Sequence, residues 1–490
     1  RMAPIPPDFF AAPHLSDDEE YVILIRIPQL AQCRHDVGRG GPLADRLLVI
    51  HTNDLHSRLE AVPHLATAIR SLREGMPDDR VLLVDCGDHM DRMRPETEGT
   101  MGRVNVALLN RLGVEAVVPG NNEGLTFLPE ALAELYGRQA RFRVLCCNLV
   151  CRKTGAPPPW MEPAVVVRKA GRSIALIGVT AAFSDFYEPL GWDALDPIDS
   201  VRSTVARLRA NCDAVIVLSH LGFPLDRRLA SEVDGVDVVL GSHTHHLLER
   251  PVRFGGAWIG AAGKFGEHVG WMLLTLGGEN GGVELEDGGC VESNRYPPEP
   301  WVERELGVFR EEARRALSGV AVELPAALPV RWDAESPLGN LAADALRRWT
   351  GADIGLVNAG QLLDGLPAGP VTFGDIHRVC PSPVNPCRMR IGGNDLLRAL
   401  EESLLPEFYH MPVRGFGFRG DRLGVLCVSS NVRIEYDDAG SPYGKIRRVA
   451  VDGRPLEPER MYDVGTIDMF TFSVGYMSLA RGEDKRFYLP

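Results

Sequence analysis

Short runs of β-branched and aliphatic residues alternate with helical stretches over the first half of the chain. From Arg46 to about Leu276 the runs are RLLVIH, RVLLVDC, VEAVVPG, FRVLCCNLV, RSIALIGVT, DAVIVLSH, VDVVLGSH and AWIGAAG. Continuous apolar runs of this length are typical of strands that are buried on both faces. Their alternation with helical segments predicts a layered α/β domain.

The composition changes after this region. The stretch GGENGGVELEDGGC and the following NRYPPEP are rich in turn residues, so we place a domain boundary there. Between Trp301 and Leu317 apolar residues recur at helical spacing, which predicts an amphipathic helix that can join two domains.

The last third of the chain has a pattern of its own. Ser336 and Pro337 open a predicted helix as N-cap and first-turn proline, and a strand DIGLVNAG, a helix GNDLLRALEESLL and later strands follow. We therefore predict an N-terminal extension over 1–45, an α/β domain over 46–295, a linker helix over 296–318 and a second, smaller α/β domain over 319–490.

Composition and charge narrow the class of function. The 490 residues carry a net charge of -13, which argues against a protein that follows a nucleic-acid backbone. No apolar run approaches the ~20 residues that a membrane span needs, and no secretory signal is visible.

The ten cysteines include no C-x-x-C pair and are expected to be reduced. We expect a cytoplasmic protein with no membrane or nucleic-acid partner.

Polar side chains follow several of the predicted strands. They are Asp54, His56, Asp88, Asn121, His220, His243 and His245. Because α/β folds bind ligands beyond the carboxyl ends of their strands, these side chains are expected at one rim. Mixed nitrogen and oxygen donors suit Mn, Fe, Co, Ni or Zn better than Mg or Ca. The sequence thus favours a metal centre, and the alternative is that each residue serves its own turn.

Several motifs together resemble those of the 5'-nucleotidase family. They are HTNDLHSR, VDCGDHMD, PGNNEG, LSHLG and GSHTHH, followed by SPLGNLAADALR, LVNAG, LPAGPVTFGDI and IGGNDLLRALEE, and they extend from about Leu47 to Tyr476. The resemblance implies a four-layer αββα metallophosphoesterase domain, a linking helix and a smaller α/β substrate-binding domain. It also implies two divalent ions, expected to be Mn, Zn or Fe, that share Asp88.

The same resemblance implies how the ligands divide between the ions. One ion would be held by Asp54, His56, Asp88 and His245, and the other by Asp88, Asn121, His220 and His243. A metal-bridging hydroxide would attack phosphorus, and Asn121 and Asn122 are the predicted catalytic residues that position the phosphoryl group.

One motif departs from the family pattern. The family has G-N-H-E-x-D, whereas this chain has GNNEGL over residues 120–125, so the His–Asp dyad that assists the leaving group is absent. Asn122 donates hydrogen bonds but no proton, and general acid catalysis contributes ~10²–10⁴-fold. We therefore expect phosphoanhydrides or activated esters to be better substrates than nucleoside monophosphates. Glu123 is an alternative proton donor.

The second domain departs from the family pattern as well. No arginine follows Asn358 and Gly360 closely, and Val425 and Met469 stand where the family has a base-stacking aromatic pair. We predict substrate contacts from Asn358, Gly360, Phe418 and Phe470. Other candidates are Phe416, Phe472 and Tyr476 for stacking, and Arg378, Arg388 and Arg390 for phosphate.

The leading prediction is a binuclear-metal phosphohydrolase that acts on a phosphate ester or anhydride of a small nucleotide-like molecule. A nucleotide-sugar or cyclic-nucleotide hydrolase is the alternative among hydrolases. An alternative of another class is a metal-containing binding or regulatory protein with little turnover.

Overall fold

The computed structural model describes residues 45–277, 282–415 and 417–488. The predicted N-terminal extension, except for residue 45, lies outside the described residues, as do Cys33 and Phe416. No helix within the described ranges combines the length and the apolar character that crossing a membrane requires.

The first domain contains two six-stranded sheets. Its strands are β1 (Arg46–Thr52), β2 (Val81–Asp85), β3 (Ala116–Val117), β4 (Arg143–Val144), β5 (Leu149–Cys151), β6 (Ala164–Lys169), β7 (Arg172–Thr180), β8 (Trp192–Ala194), β9 (Ala214–His220), β10 (Val238–Gly241), β11 (Val252–Phe254), β12 (Ala257–Gly260), β13 (His268–Leu276) and β14 (Val283–Glu292). One sheet has the order β14-β13-β1-β2-β3-β4 and the other β11-β12-β10-β9-β7-β6. The central strands β1 to β4 are parallel, as are β7, β9, β10 and β12.

The two sheets pack face to face over an apolar core. Leu47 and Val49 of β1 belong to one fully buried cluster with Ile216 and Leu218 of β9. The alternate residues of each strand point outward, because successive side chains of a strand face opposite sides of the sheet. Both faces of these strands are therefore apolar, as the continuous runs predicted.

Helices cover the outer face of each sheet. The α-helices of this domain are Val62–Arg73, Pro95–Gly99, Arg103–Leu112, Asn121–Thr126, Pro129–Glu134, Ser184–Tyr187, Pro197–Leu208 and Phe223–Glu232. Leu48 and Ile50 share a cluster with Leu65 of the first helix, and Ile177 packs with Val201 of Pro197–Leu208. The predicted four-layer αββα architecture is confirmed.

From Val283 onward, the glycine-rich stretch at the end of this domain is a strand rather than a linker. Residues 283–292 form β14, which pairs antiparallel with β13. A Cβ on Gly288 would lie 2.9 Å from Pro251 Cγ, and one on Gly289 would lie 2.8 Å from Glu249 O. These glycines permit close packing inside a sheet, so reading them as turn residues was wrong.

The linker helix Pro300–Leu317 packs against the first domain. It runs so close to Pro95–Gly99 that a Cβ on Gly99 would lie 2.6 Å from Ala313 Cα. The helix is amphipathic, as predicted, and Val302 and Leu306 are fully buried. The domain boundaries 46–295, 296–318 and 319–490 stay a prediction, and this helix falls within the predicted linker.

The second domain is a smaller α/β unit. Its strands are β15 (Val320–Leu324), β16 (Ile354–Asn358), β17 (Gly369–Thr372), β18 (Pro386–Gly392), β19 (Leu426–Val428), β20 (Val432–Tyr436), β21 (Ile446–Val451), β22 (Arg454–Pro455), β23 (Met461–Ile467) and β24 (Glu483–Phe487). Its α-helices are Pro337–Thr350, Phe373–Val379, Gly393–Ser403 and Pro406–Tyr409. Five strands form the sheet β19-β16-β23-β18-β24, three form β20-β21-β22, and β15 pairs with β17. The predicted two-domain α/β organisation is confirmed.

Candidate metal centre

The candidate site lies at the carboxyl ends of parallel strands from both sheets. The loops after β1 and β2 run side by side beyond the strands, since Asp54 N donates to Gly87 O at 2.9 Å and His56 N donates to Asp88 O at 2.8 Å. The last residue of β9 and the residues after β3 and β10 complete the rim. All seven residues predicted as metal ligands stand at this rim.

Five of these residues have an unusual backbone conformation. Asp54, His56, Asp88, His243 and His245 have φ angles of 50°, 47°, 52°, 69° and 57°. A non-glycine residue in the left-handed region costs about 1–3 kcal/mol, and such residues cluster at functional sites. Here the loops are held by hydrogen bonds, including those from His243 N to both carboxylate oxygens of Asp54, at 3.1 and 2.9 Å.

Two glycines permit the close approach of these loops. A Cβ on Gly120 would lie 2.1 Å from Asp88 Oδ1, and Gly87, at φ +91°, would place a Cβ 2.8 Å from His220 Nδ1. Any side chain at either position would therefore displace a predicted ligand.

The acidic and imidazole side chains form two adjacent groups, Asp54 with His56 and His245, and Asp88 with His220 and His243. Within each group the donor atoms all lie within 4.8 Å of one another. His56 connects the groups, because its Nε2 lies 3.8 Å from Asp54 Oδ1 and 3.8 Å from Asp88 Oδ2. These are two adjacent candidate metal-binding sites, and His56 contacts a carboxylate of each.

The geometry of the first group fits a cation. His56 Nε2 and His245 Nε2 lie 3.1 Å apart with nearly perpendicular rings. Asp54 Oδ1 lies 3.6 Å from the same His245 atom. Two imidazole nitrogens and a carboxylate oxygen that converge on one point are the donor set of a divalent transition metal or zinc.

In the second group, His220 has a fixed orientation. Its Nδ1–H donates to Cys86 O at 2.8 Å, which leaves Nε2 directed at Asp88 Oδ1 at 3.3 Å and Asn121 Oδ1 at 3.2 Å. An outer hydrogen bond of this kind sets the tautomer and ring orientation of a metal-ligating histidine. Asn121 thus stands beside this group, as the resemblance implies.

Burial and neighbouring charges together set the protonation states of the site. Burial lowers the pKa of His243 and of His245 to about 4, so both imidazoles are neutral and able to coordinate at pH 7. Burial also raises the pKa of Asp54 to about 7. For His220, burial favours the neutral ring, but the Asp88 carboxylate outweighs it and raises the pKa to about 10. A cation that binds there would release this proton.

Glu123 has a structural role at the rim. Its side chain is fully buried, and its carboxylate accepts backbone N–H bonds from Asp88 at 2.9 Å, Gly120 at 2.7 Å and Met90 at 2.6 Å. These donors engage both oxygens, so Glu123 holds the loops of the rim together, and its alternative role as proton donor stays a prediction. Asn122 faces the site instead, with Nδ2 2.9 Å from His56 Nδ1.

The predicted substrate contacts of the second domain are buried in this conformation. Asn358 and Phe470 are fully buried, and Phe418 is 4 % exposed. Asn358 Nδ2 donates to Leu423 O at 2.6 Å, and Gly360 N donates to the same oxygen at 3.1 Å. Leu423 therefore lies over Asn358 and Gly360. All four contacts stay predictions, and binding at Asn358 or Gly360 requires Leu423 to move.

The three candidate phosphate-binding arginines pair with carboxylates elsewhere in the second domain. Arg378 pairs with Asp364 at 2.5 Å, Arg388 with Asp463 at 2.5 Å, and Arg390 with Asp484 at 3.2 Å. They contact their own domain and are not brought to the metal centre.

Sequence reasoning missed two residues beside the centre. Asp91 Oδ2 lies 3.8 Å from His56 Nδ1, and the guanidinium of Arg419, from the second domain, pairs with the same carboxylate. His377 Nε2 donates to Arg92 O at 2.7 Å, a second contact between the domains. Asp91 ends the motif VDCGDHMD, but nothing in the local pattern of either segment signals its pairing with Arg419.

A four-layer αββα domain with Asp, His and Asn at its strand ends, followed by a smaller α/β domain, defines a class of metal-dependent phosphoesterases. Residues 47–247 match the family described as calcineurin-like phosphoesterase, and residues 319–476 match the 5'-nucleotidase C-terminal domain. The chain is 34% identical over 452 residues to "Uncharacterized metallophosphoesterase YunD" of Bacillus subtilis, covering 91% of this chain and 97% of that protein. The chain therefore belongs to the metallophosphoesterases that carry a 5'-nucleotidase-type C-terminal domain.

More distant similarities agree with this assignment. The 5'-nucleotidase of Rattus norvegicus is 23% identical, over 85% of this chain and 81% of the relative. The crystal structure of a 5'-nucleotidase precursor from Thermus thermophilus matches with a TM-score of 0.57 at 23% identity, covering 90% of this chain and 93% of that chain. At this identity the structural match shows the fold alone.

Proposed function

We propose that the chain is a phosphohydrolase that uses two divalent ions and acts on a phosphate ester or anhydride of a nucleotide-like molecule. The observation that carries the proposal is the pair of adjacent donor groups at the shared rim of both sheets, joined through His56. Its family membership supports metal-dependent phosphoester hydrolysis.

The residues of the rim have distinct tasks in this proposal. Asp54, His56 and His245 would hold one ion, His220, His243 and Asn121 the other, and Asp88 would contact both. Ions bound there would supply a hydroxide nucleophile and neutralise the charge on the phosphoryl oxygens. Mn, Zn and Fe suit this donor set.

Asn121 and Asn122 would orient the phosphoryl group. Asn121 Nδ2 donates to Asn122 Oδ1 at 3.3 Å, and Asn122 N donates to Asp88 Oδ1 at 2.8 Å, so both amides stand at the same edge of the centre. The Asn122 amide donates a hydrogen bond but cannot protonate an alkoxide, and a poor leaving group would therefore depart slowly. We propose that anhydrides and activated esters are preferred substrates for this reason.

The second domain would select the non-phosphate part of the substrate. Asn358, Gly360, Phe418 and Phe470 are proposed contacts, and Asn358 and Gly360 become accessible once Leu423 is displaced. A cytoplasmic location and the absence of a nucleic-acid partner stay part of the proposal.

Turnover by metal-loaded protein tests the proposed function. After removal of metal and reloading with Mn²⁺ or Zn²⁺, phosphate release is measured with nucleoside mono-, di- and triphosphates, a nucleotide sugar, a cyclic nucleotide and an aryl phosphate. We expect the diphosphate to be hydrolysed faster than the matched monophosphate. Turnover of the nucleotide sugar or cyclic nucleotide alone would favour those hydrolases, and two bound ions without any turnover would favour a binding protein.

A further inference from the structure

A guanidinium from the second domain pairs with Asp91, which lies beside the metal centre of the first. Arg419 Nη2 donates to Asp91 Oδ2, Nη1 donates to Phe418 O at 3.4 Å, and the backbone N of Arg419 donates to Ser382 Oγ at 3.2 Å. The Arg419 side chain is 19% exposed and that of Asp91 4%. The arginine is thus held in place with part of its surface open to a ligand.

The function that this contact can have depends on the position of Arg419 relative to Asn122. Asp91 Oδ2 lies 3.8 Å from His56 Nδ1, and Asn122 Nδ2 lies 2.9 Å from the same nitrogen. Asp91 and Asn122 therefore both lie on the Nδ1 side of His56, opposite the Nε2 atom that faces the other ligands, and Arg419 reaches that side through its pair with Asp91. The family resemblance puts Asn122 where a proton-donating histidine would assist the leaving group, and Arg419 is linked to that place through Asp91 and His56.

An arginine does not donate a proton to a leaving group, but its positive charge can stabilise a leaving group that is negatively charged. Guanidinium remains protonated at any pH that enzymes use, and its planar array of N–H donors matches phosphate oxygens. Two of the Arg419 nitrogens have partners among the described residues, and other N–H donors can bind a ligand. The group can therefore stabilise a leaving group that departs as an anion.

We propose that Arg419 binds the leaving group during hydrolysis and makes phosphoanhydrides the preferred substrate class. This inference rests on the proposed function. As the nucleophilic oxygen bonds to phosphorus, the bond from phosphorus to the bridging oxygen breaks, and its electron pair stays on that oxygen. The leaving phosphate departs as an anion without taking a proton, and the guanidinium neutralises the added negative charge. Asp91 is a positioning residue that holds Arg419 before substrate binds.

The test compares two substrates in three variants of the Mn²⁺-loaded full chain. Arg419→Ala removes the guanidinium, Arg419→Lys keeps the charge without the planar donors, and Arg422→Ala is the control. Arg422 belongs to the same loop, and its guanidinium lies over the ring of Trp332, 5.5 Å from its centroid. The substrates are a nucleoside diphosphate and p-nitrophenyl phosphate, whose leaving group is already stable as an anion.

We expect Arg419→Ala to lower kcat/KM about 100-fold for the diphosphate, the size typical of losing one transition-state donor, and less than about 5-fold for p-nitrophenyl phosphate. Arg419→Lys should fall between, and added guanidinium ion should partly restore Arg419→Ala on the diphosphate. Arg422→Ala should match the wild type on both substrates.

Three results would overturn the assignment. An equal loss on both substrates would mean that Arg419 only docks the domains, and an unchanged rate on the diphosphate would mean that it does not touch the leaving group. If the wild type hydrolyses neither substrate, the proposed function fails and the assignment of Arg419 fails with it. Selective loss on the diphosphate is the supporting result.

Discussion

His56 Nε2 and His245 Nε2 lie 3.1 Å apart, although 189 positions separate the two residues in the chain. The contact joins the loop after β1 to the loop after β10, one from each sheet. Two imidazole nitrogens at this distance are unfavourable as a pair unless a proton or a cation lies between them, and burial keeps the pKa of both rings below the ordinary value.

Replacement of one of these rings should remove one ion. For His245→Ala we expect the bound Mn²⁺ or Zn²⁺ to fall from two ions per chain to one, because the first group loses a donor that no neighbour replaces. Metal content after dialysis measures this. The neighbouring His246→Ala is the control, since His246 Nδ1 contacts Thr244 Oγ1 at 2.8 Å rather than the centre. Equal metal content in both variants would contradict the ligand assignment.

Asn53 orients a ligand without being one. Its Nδ2 donates to Asp54 Oδ2 at 2.9 Å and to Gly263 O at 2.7 Å, while Oδ1 accepts from Ala262 N at 3.0 Å. Loss of such an outer partner typically costs about 10–100-fold in metal affinity, and we expect this for Asn53→Ala by calorimetric titration. Asn211→Ala, at an exposed position, should bind as the wild type does.

The buried carboxylate of Glu123 should matter for stability rather than for proton transfer. In Glu123→Gln the side-chain N–H₂ would replace one of the two acceptor oxygens. It would then face at least one backbone N–H that donates to the carboxylate in the wild type. We expect the free energy of unfolding to fall by about 1–3 kcal/mol per unsatisfied donor, measured by urea denaturation. The exposed Glu130→Gln should leave stability unchanged. Full stability of Glu123→Gln would show that the three hydrogen bonds contribute little.

Asp468 predicts a pH dependence of stability. Burial raises its pKa from 3.8 to about 7. Between these two values the folded chain keeps a proton that the unfolded chain has lost, so this residue makes the free energy of unfolding fall as the pH rises. The effect amounts to at most about 4 kcal/mol.

Asp468→Asn should remove that dependence. We expect the variant to gain stability relative to the wild type at pH 7.5 but not at pH 4, as measured by urea denaturation at both pH values. Asn385 Nδ2, which donates to Asp468 Oδ2 at 2.8 Å, can donate equally well to the amide oxygen. The exposed Asp438→Asn serves as control. A stability difference that is the same at both pH values would show that folding does not raise the pKa of Asp468.

Restoring the missing dyad should widen the range of substrates. Asn122→His combined with Leu125→Asp is expected to raise kcat/KM for a nucleoside monophosphate by about 10²-fold or more, since general acid help becomes available. Turnover of the diphosphate should change little. Asn122→His alone is the control, and metal content is checked because residue 122 contacts His56. An unchanged monophosphate rate would mean that protonation of the leaving group does not limit turnover.

Much of the first domain and its rim could be predicted from the sequence, because both depend on local signals. A buried parallel strand is a continuous apolar run, and the polar residue after it marks its carboxyl end, which places Asp54 and His220 at one edge. β14 could not be recognised in this way. Its glycines resemble a linker in composition, and the reason for them, contact with residues of other strands, is visible only in three dimensions.

The contribution of the second domain could not be predicted for a similar reason. Arg419 and Asp91 are 328 positions apart, and neither belongs to a periodic pattern. Their pairing depends on how two domains meet, which no local spacing encodes. Phe418 and Phe470 are predicted substrate contacts but are buried in the second domain. Aromatic residues near a predicted site are also the residues that fill a core, and the sequence does not distinguish the two roles.

The most direct test of the central claim is phosphate release from a nucleoside diphosphate by Mn²⁺-loaded wild type and Asp88→Asn, measured with metal content in the same samples. We predict metal-dependent turnover by the wild type with two ions bound, and for Asp88→Asn a loss of at least about 100-fold in rate together with loss of bound metal, because Asp88 would contact both ions. Turnover that persists in Asp88→Asn, or a wild type that holds two ions and releases no phosphate, would contradict the account.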